Sequence, residues 1–567
     1  MLRRSLVYIR REKQRFLQAT LLQIVAVLLA LCEPILIARV LDVCVPSHDV
    51  AGLFISVALL VCCIVSNIFL MTKSSKVVNI IGQNIIYDLR KDLYEHLQKL
   101  SFNYYDSRPH GKILVRVINY VNSVSNILSN GLINSLLQLL NLIFIIIFMF
   151  ATNVRLSLVI LSGFPFALTV ILILRPIQRK GWQEYSNKSS NMNAFLNESI
   201  VCMKITQLFA RESYNADIYG ELIRGSKKAW YKAVLSSNAV GPVIDFISKA
   251  VTAAMIFIGV FYLQPAVSFG VLLAMIQYCS RFWQPINQLA NIYNQFINSI
   301  AYLERIFEVI DEPVEVGDVP KAVALKTIRG DVEFRNVTFE YEKGIPVLNN
   351  VSFTVESGES VALVGPTGAG KSTIINLISR FYNVTDGEVL IDGQDISKVT
   401  LHSLRSQMGI MMQEGFIFSD TVAENIRYGN LSADNEQLRI AAETVCADSF
   451  ISQLPKGYLT MLPERGSQLS QGQKQLVSLA RTLASDPKIL VLDEATSSID
   501  TQTERQLQEG LNRMLKGRTS FIVAHRLSTI RACDKIMYIQ NGKIAECGSH
   551  DQLIAQKGLY YELCATQ

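Results

Sequence analysis

The chain has 567 residues, half of them hydrophobic, a formal net charge of +6 and a mean hydropathy of +0.27. That is too apolar for an ordinary soluble protein and too weakly basic to indicate a nucleic-acid partner. Ten cysteines form no Cys-x-x-Cys pair and no Cys/His cluster, which argues against a metal centre built on them. Cys32, Cys62, Cys63 and Cys279 fall inside apolar runs and read as small hydrophobes.

The apolar surplus lies before residue 310. Basic residues at Arg10, Arg11, Lys13 and Arg15 precede a long apolar run that no small-residue cleavage site ends, so it reads as an uncleaved first span. Six stretches are long enough to cross a bilayer, near residues 16–42, 52–72, 131–151, 156–175, 242–263 and 268–300. Segments 43–51 and 264–267 carry no Lys or Arg, and 152–155 carries only Arg155, whereas 73–130 and 176–241 are rich in both. This asymmetry places the N-terminus, both long loops and the C-terminal half in the cytoplasm. The long loops contain helix-compatible runs at 77–100 and 187–209. Spans two to five are therefore expected to continue as helices about 45 Å past the membrane. The turns between them, at 104–111 and around 197–200, are candidates for contact with the C-terminal half.

Ionisable residues within spans are functional candidates. Glu33, followed by Pro34, lies in the outer half of the first span. It is open between a substrate or proton role and a structural hydrogen bond. Arg281 lies in the sixth span just before Pro285, and Asp245 and Lys249 have the spacing of an i,i+4 ion pair. Gln277, Tyr278, Trp283 and Gln284 suit either a cavity wall or a helix–helix interface.

A polar stretch with Pro313 and Pro320 reads as a linker. The expected division is a membrane domain at 1–312, the linker at 313–329 and a soluble domain at 330–567. The latter contains Gly365-Pro-Thr-Gly-Ala-Gly-Lys371-Ser372-Thr373, the phosphate-loop pattern G-x4-G-K-[ST], between a short strand and a helical run. Backbone amides of Gly365, Thr367, Gly368, Ala369 and Gly370 are expected to cradle phosphates at a helix N-terminus. Lys371 is placed for the β- and γ-phosphates, with Ser372 on Mg²⁺ and Thr373 beside it. A continuous apolar strand ends in Asp493, a candidate for Mg²⁺, and Glu494, a candidate general base for the attacking water. Gln413 follows a strand-like run and is placed for Mg²⁺ and the water. His525 also follows a strand, within reach of the γ-phosphate. Tyr341 offers a flat face to adenine.

In this order and spacing the motifs resemble those of the ABC transporter superfamily, specifically a half-transporter of the type IV exporter class, across essentially the whole chain. The resemblance implies six membrane helices with long intracellular extensions, followed by an α/β P-loop nucleotide-binding domain with a helical subdomain. It makes Tyr341 the A-loop aromatic, Gln413 the Q-loop, residues 469–473 (Leu-Ser-Gln-Gly-Gln) the signature, Asp493 and Glu494 the end of Walker B, Asp500 part of the D-loop and His525 the H-loop. Two such domains would close head to tail around two ATP and Mg²⁺, so that Ser470, Gly472, Gln473 and Asp500 act on the nucleotide of a partner half-transporter. The turns near 104–111 and 197–208 would be coupling helices, and Glu464 the X-loop. Two departures stand out: Gln471 where the signature commonly has Gly, and Leu462-Pro463-Glu464 where Val-Gly-Glu is typical. The stretches 469–476 (Leu-Ser-Gln-Gly-Gln-Lys-Gln-Leu) and 495–501 (Ala-Thr-Ser-Ser-Ile-Asp-Thr) resemble those of one subunit of bacterial heterodimeric multidrug exporters. The expectation is a multi-pass protein of the bacterial plasma membrane that exports an amphipathic drug, lipid or small peptide. A heterodimer is favoured over a homodimer. Import of a siderophore-like compound on the same architecture, and an ATP-gated channel or regulator, are the alternatives.

Overall fold

The computed structural model describes residues 2–126, 134–263, 267–411, 415–493, 501–524 and 527–566. The chain divides into two compact units, residues 1–97 with 111–311, and residues 98–110 with 312–567.

The first unit is helical. Its main helices are Lys13–Arg39, Val50–Leu97, Asn134–Thr152, Val154–Val201, Val240–Phe261 and Phe269–Ile310. The first runs on through a π-helical turn at Val40–Cys44, and Glu212–Asn238 leads almost directly into the fifth. Val50–Leu97 and Val154–Val201 have 48 residues each, about 72 Å of helix at 1.5 Å per residue. That is more than twice the roughly 30 Å hydrocarbon thickness, so each reaches well beyond it. Among the described residues, five segments, including Glu212–Phe261, are long and apolar enough to cross a membrane. The sixth long helix, Phe269–Ile310, is continuous over 42 residues, but Arg281 and neighbouring polar side chains break its apolar run. Many large apolar side chains point outward, Phe54 at 71% and Phe69 at 64% exposure among them, as a lipid-facing or partner-facing surface requires.

Inside, Leu31, Ile145, Met149, Leu156, Ile160, Met275, Tyr278 and Phe282 form one apolar cluster. Gly163 lets the fourth helix approach closely. A Cβ there would lie 2.6 Å from Val251 and 3.1 Å from the Trp283 ring. Asp42 accepts hydrogen bonds from Ser268 Oγ (2.5 Å) and the Gly270 amide (2.8 Å), fixing the start of the last helix against the end of the first. Asp245 and Lys249, expected to pair, are both exposed and form no ion pair with each other among the described residues. Arg281 pairs instead with Glu33. The second loop reverses later than its sequence suggests. Residues 197–200 are the last turn of Val154–Val201, and a separate helix, Met203–Leu208, follows Cys202.

The second unit holds two sheets. One is antiparallel, with β1 (Val332–Glu342), β2 (Ile345–Val355), β4 (Asp386–Ile391) and β5 (Gln394–Asp395) in the order 2-1-4-5. The other has the order 10-9-3-8-7-6, from β3 (Ser360–Val364), β6 (Met408–Met411), β7 (Ile489–Asp493), β8 (Thr519–Val523), β9 (Lys535–Gln540) and β10 (Lys543–Gly548). All its pairings are parallel except that of β9 with β10. β3 and β8 are buried throughout, and four of the five residues of β7 are, as central strands covered on both faces must be. Leu325 and Ile328, in the expected linker, already belong to the core between the sheets. A mainly helical stretch, residues 422–484, packs its Val422, Ile426, Leu438, Leu476 and Leu479 into a separate cluster.

Arg380 is the largest fully buried side chain among the described residues. Its guanidinium donates to the carbonyls of Val399 (2.7 Å), Gly317 (2.9 Å) and Ser397 (3.0 Å). It thus ties the start of this unit to the loop after β5, and desolvation pushes its pKa down. Arg380→Ala orphans three carbonyls at about 1 kcal/mol or more each. The expected result is a fall of about 5–10 °C in the unfolding temperature of this unit, measured by temperature-dependent proteolysis of residues 312–567 in the intact protein.

Candidate nucleotide site

A parallel sheet delivers the carboxyl ends of its strands to one edge, and open α/β sheets bind ligands there. In this chain that edge collects Val364, Asp493 and Val523, the ends of β3, β7 and β8. The chain leaves β3 through Gly365 at φ +138°, where a Cβ would stand 2.2 Å from the Ile539 carbonyl oxygen. It enters the helix Lys371–Ile378 through Gly370 at φ +107°, with Leu348 2.7 Å from where its Cβ would be. Only glycine fits both places. The loop therefore wraps tightly and presents first-turn amides that have no partner within the helix.

A cavity of about 580 Å³ opens there. It is lined by Thr367, Gly368, Gly370, Lys371, Ser372 and Thr373 from the loop and helix, together with Tyr341, Val347, Asp493 and Val523. Lys371 is buried, and its ammonium donates to the carbonyls of Gly365 and Pro366, both at 2.8 Å. Burial pushes its pKa down, against the opposing pull of Asp493. A polyanion would reverse that penalty, so the cradle fits a polyphosphate.

Tyr341 stands near the end of β1, 43% exposed. Phe339 and Tyr382 meet it edge to face, at 4.7 and 5.1 Å. Its hydroxyl accepts from Asn376 Nδ2 at 3.3 Å and lies 3.3 Å from Thr373 Oγ1. Tyr341 is thus braced against the phosphate-loop helix. Tyr382 continues the chain of contacts by donating to Asp106 Oδ2 at 2.5 Å. Burial first, and then Asp106, push its phenol well above the ordinary value. Phe102 packs on Phe381 at 4.5 Å, and Arg108 forms a two-pronged pair with Glu312 at 3.1 Å. The first turn, residues 98–110, therefore belongs to the same compact unit as the loop.

The signature segment lies elsewhere in this unit. Leu469 is buried, and Ser470 caps the helix Gln471–Ala484 in a reciprocal box. Ser470 Oγ accepts from the Gln473 amide (3.3 Å) while Gln473 Oε1 accepts from the Ser470 amide (3.0 Å). Gly472 is buried and Gln471 exposed. None of residues 469–473 lines the cavity. Gln413, Glu494, Asp500 and His525 lie outside the described residues.

Three residues at the site were not anticipated. Val347 and Val523 line the cavity as ordinary strand residues, and no local signal marks them. Tyr382 sits in the aromatic pair Phe381-Tyr382 directly after the phosphate-loop helix, and that position was its only trace in the sequence.

Known proteins share this arrangement. The family described as ABC transporter transmembrane region matches residues 16–286, and the family described as ABC transporter matches residues 348–497. An uncharacterized ABC transporter ATP-binding protein of Bacillus subtilis (strain 168), YknV, is 41% identical over 89% of this chain and 84% of its own. An ATP-dependent lipid A-core flippase of Syntrophus aciditrophicus is 37% identical over 85% of this chain and 80% of its own. A solved structure of a bacterial Atm1-family exporter with ATP bound superposes with a TM-score of 0.83 at 30% identity, covering 98% of both chains. By its membrane helices, its phosphate loop and these relatives, the chain belongs to the ABC transporter family, as an exporter with its ATP-binding domain fused to its membrane domain.

Proposed function

We propose that this chain is one half of an exporter that moves an amphipathic substrate out across a bacterial plasma membrane by alternating access. One observation carries the reading: the phosphate cradle and the signature segment are both well formed, yet the signature does not line the cavity beside the cradle. A complete ATP site then requires a second half-transporter. Its signature would cover this chain's cradle, while Ser470, Gly472, Gln473 and Asp500 of this chain serve the partner's nucleotide. The exposed start of Gln471–Ala484, with its first-turn amides, suits a γ-phosphate.

Within the cradle, the roles follow from chemistry. Tyr341 stacks adenine, and the amides of Gly365 and of residues 367–373, with the Lys371 ammonium, hold the phosphates. Ser372 and Asp493 line the same cavity and are hard oxygen donors of the kind Mg²⁺ prefers. With Gln413 they would hold Mg²⁺, which would neutralise charge on the phosphates. Glu494 takes the proton from the attacking water, with His525 near the γ-phosphate. We take the membrane domain as residues 1–312 and the ATPase domain as 330–567, joined by 313–329, of which Leu325 and Ile328 pack into the core of the second unit, with the N-terminus and ATPase domain cytoplasmic. The lipid named for the flippase relative fits an amphipathic substrate. Gln471 and the sequence around it favour a different chain as partner.

Glu494→Gln is expected to lower ATP turnover by about 10²-fold or more while leaving nucleotide affinity unchanged. Turnover is measured by phosphate release and affinity by a fluorescent ATP analogue. Turnover that persists would remove Glu494 from its role. Expression of the chain alone and with its neighbouring gene product tests the assembly. Robust ATPase activity of the chain alone would sink the heterodimer. Tyr382→Phe keeps the ring against Tyr341 and removes only the bond to Asp106. Its expected effect is unchanged nucleotide affinity with weakened stimulation of the ATPase by transported compounds, read from the ratio of stimulated to basal rates.

A further inference from the structure

The helix Lys13–Arg39 contains Pro34. Proline has no amide hydrogen, so the carbonyl four residues earlier, on Ala30, loses its helical partner. Inside a bilayer no water replaces it, and another protein group must. That group is Arg281, 251 residues away on Phe269–Ile310, which donates through Nη1 to the Ala30 carbonyl. Its Nη2 pairs with Glu33 Oε2, on the residue just before the proline. One turn earlier on the same face of that helix, fully buried Tyr278 donates to the Leu31 carbonyl at 2.6 Å. Two side chains of the last helix thus grip two successive carbonyls of the first, at the point where proline interrupts it. Glu33 and Arg281 keep 30% and 27% of their side chains exposed. Charged groups within membrane helices generally face the interior of a bundle and not lipid.

We propose that Arg281 is a positioning residue for transport. It supplies the hydrogen bond that Pro34 withholds from Ala30 and so closes a hinge in the first membrane helix, while Glu33 holds the guanidinium in register. The hinge is closed only while Arg281 is seated. The outer half of the first helix, itself tied to the last by Asp42, then moves with the last helix. The inference rests on the membrane reading of this domain and on no particular substrate.

The test uses proline as the switch. An alanine at position 34 restores an amide hydrogen and hence the native helical bond to Ala30, making Arg281 dispensable for that bond. The full chain, with its co-purifying partner, is studied in lipid nanodiscs as wild type, Arg281→Ala, Pro34→Ala and the double variant. Deuterium exchange of amides 31–38 is followed with and without ATP and Mg²⁺, and ATP turnover is measured on the same samples. Arg281→Ala is expected to speed exchange about tenfold, the weight of one buried carbonyl left without a donor, and to lower turnover. The double variant returns exchange to within about twofold of wild type and recovers turnover. Arg281→Lys carries a single ammonium that cannot seat Ala30 and Glu33 in the same fork geometry. It gives an intermediate effect that Pro34→Ala also rescues, and it serves if Arg281→Ala does not fold. Exchange unaltered by either Arg281 variant, or a defect that Pro34→Ala leaves in place, overturns the proposal. The second result would mean that the charge of Arg281, acting on Glu33 or on substrate, is what matters.

Discussion

In hydrocarbon, a backbone carbonyl without a donor has no water to turn to. That constraint shapes the membrane half of this chain. It makes every crossing a helix, and it makes each interruption of a helix a debt that another side chain must settle. At Pro34 the creditor is Ala30 and the donor is Arg281. A guanidinium is suited to the task because its rigid fork reaches a carbonyl and a carboxylate together. Glu33 balances its charge, so neither ion stands alone at a depth where an isolated charge is expensive. One proline thus accounts for the pair of ionisable residues that composition alone left unconnected.

In the soluble half the governing constraint is the parallel sheet. Strands β3, β7 and β8 arrive from distant parts of the sequence but must end at one edge, because parallel pairing aligns their directions. The phosphate loop and Asp493 therefore meet without any local contact in the sequence. Glycines at 365 and 370 are needed because backbone or a packed leucine occupies the place of a side chain. The loop's tightness is a packing result as much as a property of its own residues.

The same unit carries the first turn, residues 98–110. Phe102 on Phe381, Asp106 on Tyr382 and Tyr382 on Tyr341 form a continuous set of contacts from that turn to the nucleotide cradle. Each is a short-range contact, and together they give a change at Tyr341 a direct physical route to residues 102–106. The second reversal, around Met203–Leu208, shows the opposite condition. Ile205, Leu208 and Phe209 are exposed apolar side chains, the usual mark of a surface meant for a neighbour.

Much of this was legible in the sequence. Helix length follows from hydropathy, burial of β3 and β7 from continuous apolar runs, and the phosphate cradle from glycine spacing, because each is dictated by residues close together in the chain. The turn read from residues 197–200 was placed too early, since nothing there differs from helix-compatible sequence, whereas the range 197–208 implied by the resemblance contains the helix Met203–Leu208. Asp245 and Lys249 have the right spacing but form no ion pair with each other among the described residues, because spacing on a helix permits a contact without fixing the rotamers that would make it. The sequence by itself determined the element types, the cradle and the family. Tertiary structure alone decided that Arg281 belongs to Glu33 and Ala30 and that Tyr382 links Asp106 to Tyr341. Those pairings join residues up to 276 positions apart, and no local pattern specifies a partner at that range.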